Sequence, residues 1–343
     1  MIGPIIADIQ GTELSQDDRT FLVNPLIGGI ILFTRNYTHP SQLKALVSEI
    51  KSLPRTDPLL VSVDHEGGSV QRFRQHFTKL PPMAALGRLY ATNSEKAKQT
   101  AFQIGWLLAA ELRQYGVDYS YAPVLDVDYQ KSRVIGERAF HADTAILCIL
   151  ASALIEGMHE VGMAVTGKHF PGHGGVSADS HLTLPVDPRS FDTLWNADIV
   201  PYIKLIEKNY LESVMTAHIV YSEIDQNPVC FSPFWVKSIL RDKLQFDGVI
   251  ISDDLTMEGA AIVGDYGKRA SLALKAGCDM LLICNNRQAV IQVIEEISGS
   301  YVFDSQVHRR CQRLYAQSLP DNFDQHPNWN IYKAEIEDAK LAF

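Results

Sequence analysis

The sequence predicts an α/β fold, a single (β/α)8 barrel of the TIM type, and three observations carry that prediction. Eight short apolar runs recur along the chain with amphipathic stretches between them. Glycines close several of those stretches just before the next run. Polar, chemistry-bearing residues fall directly after the runs, where the C-terminal ends of barrel strands open into one mouth.

The runs are residues 4–7, 29–33, 59–63, 119–122, 164–166, 213–215, 249–251 and 280–283. Between the third and fourth, Ala101, Ile104, Gly105, Leu108, Leu112 and Tyr115 follow the spacing of one helix face. Gly116, Gly162 and Gly277 each end a helical pattern and lead into a run, which suits the left-handed position that terminates a helix. Stretches near residues 10–25 and 65–90 are less regular, so the early part of the barrel is expected to be irregular. Beyond about residue 300 the chain becomes more polar and reads as helices packed outside the barrel. With no Pro- or Ser-rich linker, the expectation is one catalytic domain over residues 1–343, with the barrel at about 3–298 and a helical extension at about 299–343. A doubly wound sheet would also gather polar residues at strand ends, but no G-x-G-x-x-G follows the first run.

Composition narrows the partners. The 343 residues are 46% apolar and carry a net charge of −9, from 31 basic and 40 acidic side chains. Without a basic run, nucleic acid and anionic membrane are poor partners. The first residues have no basic n-region, and no apolar run approaches the roughly 18 residues of a membrane span. A cytoplasmic protein is expected. Five scattered cysteines without a C-x-x-C pair agree with reduced, buried thiols.

After the seventh run come Asp253 and Asp254. The first, at the strand end, is a candidate for chemistry, whereas the second is at least as well explained as a cap on the following turn. The third run leads into Asp64, His65 and Glu66, with Arg72 beyond. A carboxylate can accept two neighbouring sugar hydroxyls, and an arginine can pair with it or hold another; a structural Asp–Arg ion pair is the competing reading. Arg138 sits in the loop after the fourth strand, where an arginine on its own is usually solvated. The segment "KHFPGHGGVSADSH", residues 168–181, is too rich in glycine and proline for a helix. It admits three readings. His169, His173 and His181 could bind metal, though Pro171, Gly172 and Gly174 spoil the helix that would put the first two on one face. Lys168 and the glycines could cradle phosphate, though no G-x-x-x-x-G-K-[ST] is present. Or Asp179, two residues before His181, could orient that ring and favour its protonated form, making a proton donor at the end of a glycine hinge.

Four segments, "VSVDHEGGSVQRF", "IGERAFH", "KHFPGHGGVSADSH" and "VIISDDLTMEGA", together resemble the motifs of the family 3 glycoside hydrolases, over about residues 3–290. The resemblance implies a retaining exo-β-N-acetylglucosaminidase that removes terminal N-acetylglucosamine from peptidoglycan fragments, GlcNAc-1,6-anhydro-MurNAc with or without peptide. It implies Asp253 as nucleophile and His181 as acid/base paired with Asp179. Asp64, Arg72, Arg138, Lys168 and His169 match positions that hold the sugar. No cofactor and no metal is implied, and the partner is a small-molecule substrate met by a monomer. A histidine in place of a carboxylate acid/base would repel phosphate less, so an N-acetylglucosaminide phosphorylase is the alternative chemistry. A metal-dependent barrel hydrolase is a more distant one.

Overall fold

The computed structural model describes residues 1–177, 183–320 and 322–339. Its framework is eight strands, β1 (Ile5–Ala7), β2 (Ile27–Leu32), β3 (Leu60–Val63), β4 (Tyr119–Ser120), β5 (Thr166–Phe170), β6 (Ser213–Thr216), β7 (Val249–Ser252) and β8 (Leu281–Leu282). They form two parallel arcs, β8-β1-β2-β3-β4 and β5-β6-β7. Single parallel bridges join the arcs, Tyr119 with Ala164 and Val124 with Lys168 on one side, Ile251 with Met280 on the other, and close the ring.

The ring follows from period-two alternation in strands buried on both faces. Ile6, Ile31, Leu60, Met215 and Ile251 share one buried cluster. Their chain neighbours Ile5, Ile30, Val61, Val214 and Ile250 belong to another, with the apolar faces of the helices. The first cluster fills the inside of the barrel and the second is the layer between strands and helices. Gly116, Gly162 and Gly277 have φ of 84°, 71° and 115°, the left-handed conformation expected where helices hand over to strands.

Two features differ from the expectation. The fifth strand runs Thr166–Phe170, not 164–166, so Lys168 and His169 lie within the strand instead of after it. They can do so because their side chains reach the polar mouth while their backbones stay in the ladder: Leu125 N–H donates to the Lys168 carbonyl at 2.6 Å, and Lys168 N–H to that of Pro123 at 3.2 Å. The irregular stretch after β3 contains a small antiparallel hairpin, His65–Gly67 against Val70–Gln71.

The C-terminal helix Asn328–Asp338 packs outside, with Trp106 of helix Ser94–Gln114 stacked against Phe323 and edge-on to Trp329 and Tyr332. The segment before it also closes the N-terminal end of the barrel, since Cys311 and Leu314 join the interior cluster. All five cysteines are buried and none forms a disulfide. Among the described residues no helix is long and apolar enough to cross a membrane.

Candidate active site

The C-terminal strand ends surround a cavity of about 180 Å³. Asp64, Arg72, Arg138, Lys168, His169 and Asp253 all line it. Extended backbone places Asp64 and Glu66 on one side and His65 on the other. Both carboxylates therefore reach Lys168, whose Nζ lies 2.6 Å from Asp64 Oδ1 and 2.5 Å from Glu66 Oε1. Arg72 Nη2 donates to Asp64 Oδ2 at 3.1 Å. Arg138 approaches Glu66 as a fork, Nε to Oε2 at 2.9 Å and Nη2 to Oε1 at 2.8 Å. Burial opposes the charge on Glu66, but Arg138 and Lys168 outweigh it and hold the carboxyl well below its usual range. His65 turns away among Phe73 and Phe77, where burial pushes its pKa down to about 3, so it is a neutral packing residue.

Beneath the Arg72 loop lies a buried carboxylate, Glu111. It accepts the Thr78 N–H at 3.0 and 2.9 Å and the Thr78 hydroxyl at 2.5 Å. Gln71 ties the same loop by donating to the carbonyls of Phe73 and Thr78 and accepting from Leu80 N–H.

On the far side of Lys168, the His169 ring donates from Nδ1 to Asp126 Oδ2 at 2.7 Å. That bond leaves Nε2 as the nitrogen available to a ligand. Asp126 Oδ1 also accepts the backbone N–H of His169 at 3.3 Å and of His173 at 2.6 Å. Burial raises the Asp126 pKa, yet the neighbouring His169 and His173 bring it below the usual carboxylate value. The glycines that follow are closely packed. A side chain on Gly172 would meet Asp198 at 2.6 Å, and one on Gly174 would overlap the Val127 carbonyl oxygen. Tyr221 donates its hydroxyl to the Gly172 carbonyl. Close approach to neighbouring chain is what requires glycine at 172 and 174. Asp179 and His181 lie outside the described residues.

Asp253 N–H donates to the Thr216 carbonyl at 3.2 Å, which holds the residue at the end of β7. Its neighbour Asp254 faces away from the cavity and takes the capping role, accepting the N–H of Thr256 at 2.9 Å and of Cys284 at 3.2 Å. Burial pushes the Asp254 pKa up to about 6. His218 Nε2 lies 3.1 Å from the Asp254 carbonyl, and burial pushes its own pKa down, so it buttresses this turn as a neutral ring.

The profile of the glycosyl hydrolase family 3 N terminal domain matches residues 5–316. This chain belongs to glycosyl hydrolase family 3. As a family 3 member it is a glycoside hydrolase. A beta-hexosaminidase of Methylobacillus flagellatus is 51% identical over 321 residues, spanning 94% of this chain and 91% of the relative. The crystal structure of native NagZ from Neisseria gonorrhoeae superposes with a TM-score of 0.91 at 39% identity, covering 100% of this chain and 98% of that one. The same protein in complex with N-trifluoroacetyl-D-glucosamine gives 0.91 at 40% identity, with 98% of each chain covered.

Within this family 3 barrel, five sugar-holding candidates and Asp253 meet around one cavity. Arg138 is not a solvated loop arginine; it is largely enclosed and held in a forked ion pair at the end of the short turn Gly136–Arg138. Two residues escaped the sequence reading of roles, Glu66 and Asp126. Glu66 had a signal, the i, i+2 spacing from Asp64. Asp126 had only its place after the fourth strand. Among the described residues no group of three or more His, Cys, Asp or Glu side chains is arranged to hold a metal.

Proposed function

We propose that this family 3 hydrolase is a retaining exo-β-N-acetylglucosaminidase acting on peptidoglycan fragments, GlcNAc-1,6-anhydro-MurNAc with or without peptide. The observation that carries the reading is the placement of the Asp253 carboxylate in one cavity with the donors and acceptors of Asp64, Arg72, Arg138, Lys168 and His169. The beta-hexosaminidase relative and the N-acetylglucosamine analogue held by the Neisseria protein support the sugar's identity. The whole chain, residues 1–343, would serve as one catalytic domain. It would work as a cytoplasmic monomer on a small soluble substrate, without nucleic acid, membrane, cofactor or metal.

In this reading Asp253 attacks the anomeric carbon while the bond to the leaving oxygen breaks, and His181, oriented by Asp179, gives that oxygen its proton. Water then attacks the glycosyl-aspartate, returns a proton to His181, and frees the Asp253 carboxylate. The clamp holds the sugar's hydroxyls throughout.

The test is hydrolysis of an aryl β-N-acetylglucosaminide beside the β-glucoside, with and without phosphate and a chelator. Preference for the acetamido sugar, indifference to chelator and free sugar as product are expected. A sugar phosphate as the main product would replace hydrolysis with phosphorolysis. A fluorosugar inactivator should leave its mass on the peptide holding Asp253; an unmodified peptide from inactivated enzyme would sink the covalent route.

A further inference from the structure

We infer that Glu66 is the positioning residue that sets both the geometry and the charge of the sugar clamp and so reserves it for an uncharged ring. The inference rests on the N-acetylglucosaminide reading above. Glu66 is 4% exposed and is not part of the cavity wall. Its ion-pair partners, Arg138 and Lys168, both are. Glu66 therefore acts on a ligand through two cations.

Counting hydrogens shows what it leaves them. An ammonium has three N–H groups. Lys168 gives one to Asp64 and one to Glu66, so one remains for a sugar hydroxyl. A guanidinium has five. Arg138 gives two to Glu66 and one from Nη1 to the Val134 carbonyl at 3.1 Å, so two remain. Because the fork pairing is planar and two-pointed, the remaining Arg138 donors have a fixed direction. Without Glu66, Lys168 keeps only the Asp64 anchor and Arg138 only the Val134 carbonyl.

Charge is the second consequence. The clamp sets three cations, Arg72, Arg138 and Lys168, against two carboxylates, Asp64 and Glu66. An anionic ligand finds these cations already paired, while a hydroxyl still finds directed donors. With Asp253, which lines the same cavity, the count is three cations against three carboxylates; removing the Glu66 charge leaves three against two, a positive surplus that favours an anion. A residue that merely stabilised the fold would not change which ligands the cavity accepts.

The experiment uses the full chain, 4-nitrophenyl β-N-acetylglucosaminide, and inorganic sulfate as an anion that does not attack glycosyl carbon. Ionic strength is held constant with chloride. Wild-type enzyme should be indifferent to sulfate. Glu66→Gln should raise KM about tenfold or more with a smaller change in kcat, as expected for lost uniform binding. It should also be inhibited competitively by sulfate at concentrations at least about tenfold lower than any that affect wild type. Glu66→Asp keeps the charge but shortens the reach, so it should raise KM without gaining sulfate sensitivity. An unchanged KM in either variant, or a Glu66→Gln enzyme as indifferent to sulfate as wild type, overturns the inference. Should Glu66→Gln not fold, the KM and sulfate response of Glu66→Asp decide it. Wild-type protein inert toward the glycoside would instead overturn the reading on which this rests.

Discussion

The two ends of the barrel both hold acidic–basic pairs, and they use them differently. At the N-terminal end, Asp118, Glu212 and Asp279 stand just before β4, β6 and β8. Each accepts a backbone N–H from the start of the preceding strand: Val61 at 2.8 Å, Val165 at 3.0 Å and Ile250 at 2.8 Å. Each also meets a basic side chain, Lys51 at 2.7 Å, His159 at 3.1 Å, and Arg241. There the carboxylates are committed to main chain, and they lock neighbouring strands in register. At the C-terminal end the carboxylates of Asp64 and Glu66 hold cations that keep N–H groups in reserve over a cavity. A buried ion pair alone therefore says little about function; whether its cations line a cavity separates a site from a staple.

Substitutions at the two ends should break apart along that line. The largest effect expected is for Asp253→Ala, with kcat lowered by at least about 10³-fold. Its thermal midpoint should stay near that of wild type, which calorimetry beside steady-state assays would check. Asp118→Ala should do the reverse. It leaves the Val61 N–H buried without its carboxylate and Lys51 free to turn to solvent, and should lower stability by about 1–3 kcal/mol in urea unfolding. The kcat/KM of the folded fraction should be unchanged, and a large loss of activity there would erase the distinction.

Glu111 tests a third kind of acid, buried against the Thr78 N–H and hydroxyl. Burial pushes its pKa up to about 7. The native state thus favours the protonated acid. Its contribution is full below the unfolded value of about 4.5 and is lost as pH rises toward 7. Relative to Glu111→Gln, wild type should lose stability across that window, on the order of 3 kcal/mol in all. Parallel stability curves for the two proteins would refute this. The smallest effect is expected for Lys168→Met, which removes one charge-assisted donor. It should weaken sugar binding by about 2 kcal/mol, seen as KM rising with kcat less affected.

Much of this was legible in the sequence, for reasons that can be named. The eight apolar runs were legible because parallel strands covered on both faces stay apolar at nearly every position, and the helix-ending glycines because only a left-handed residue fits there. The fifth strand was placed early because Lys168 and His169 look like strand terminators. They remain in the ladder since Asp64, Glu66 and Asp126 supply the partners that make their burial tolerable. Glu66 and Asp126 were not given roles because their partners are about 40 or more residues away in the chain. Local spacing shows which side a side chain faces and cannot show what the fold brings to meet it.

The filled interior has a consequence for the order of events. Tyr121 lies at the cavity's inner end, its hydroxyl 3.0 Å from that of Ser62 and 3.3 Å from that of Tyr119, with Ile31, Met215 and Leu282 around it. Below them the packed barrel continues down to Cys311 and Leu314. The cavity is thus a well with a floor, not a tunnel. A chain cannot be threaded through the barrel, so a sugar seated in the well enters and leaves by the C-terminal face. Under the two-step route proposed above, the aglycone has to clear that face before water can reach the glycosyl-aspartate.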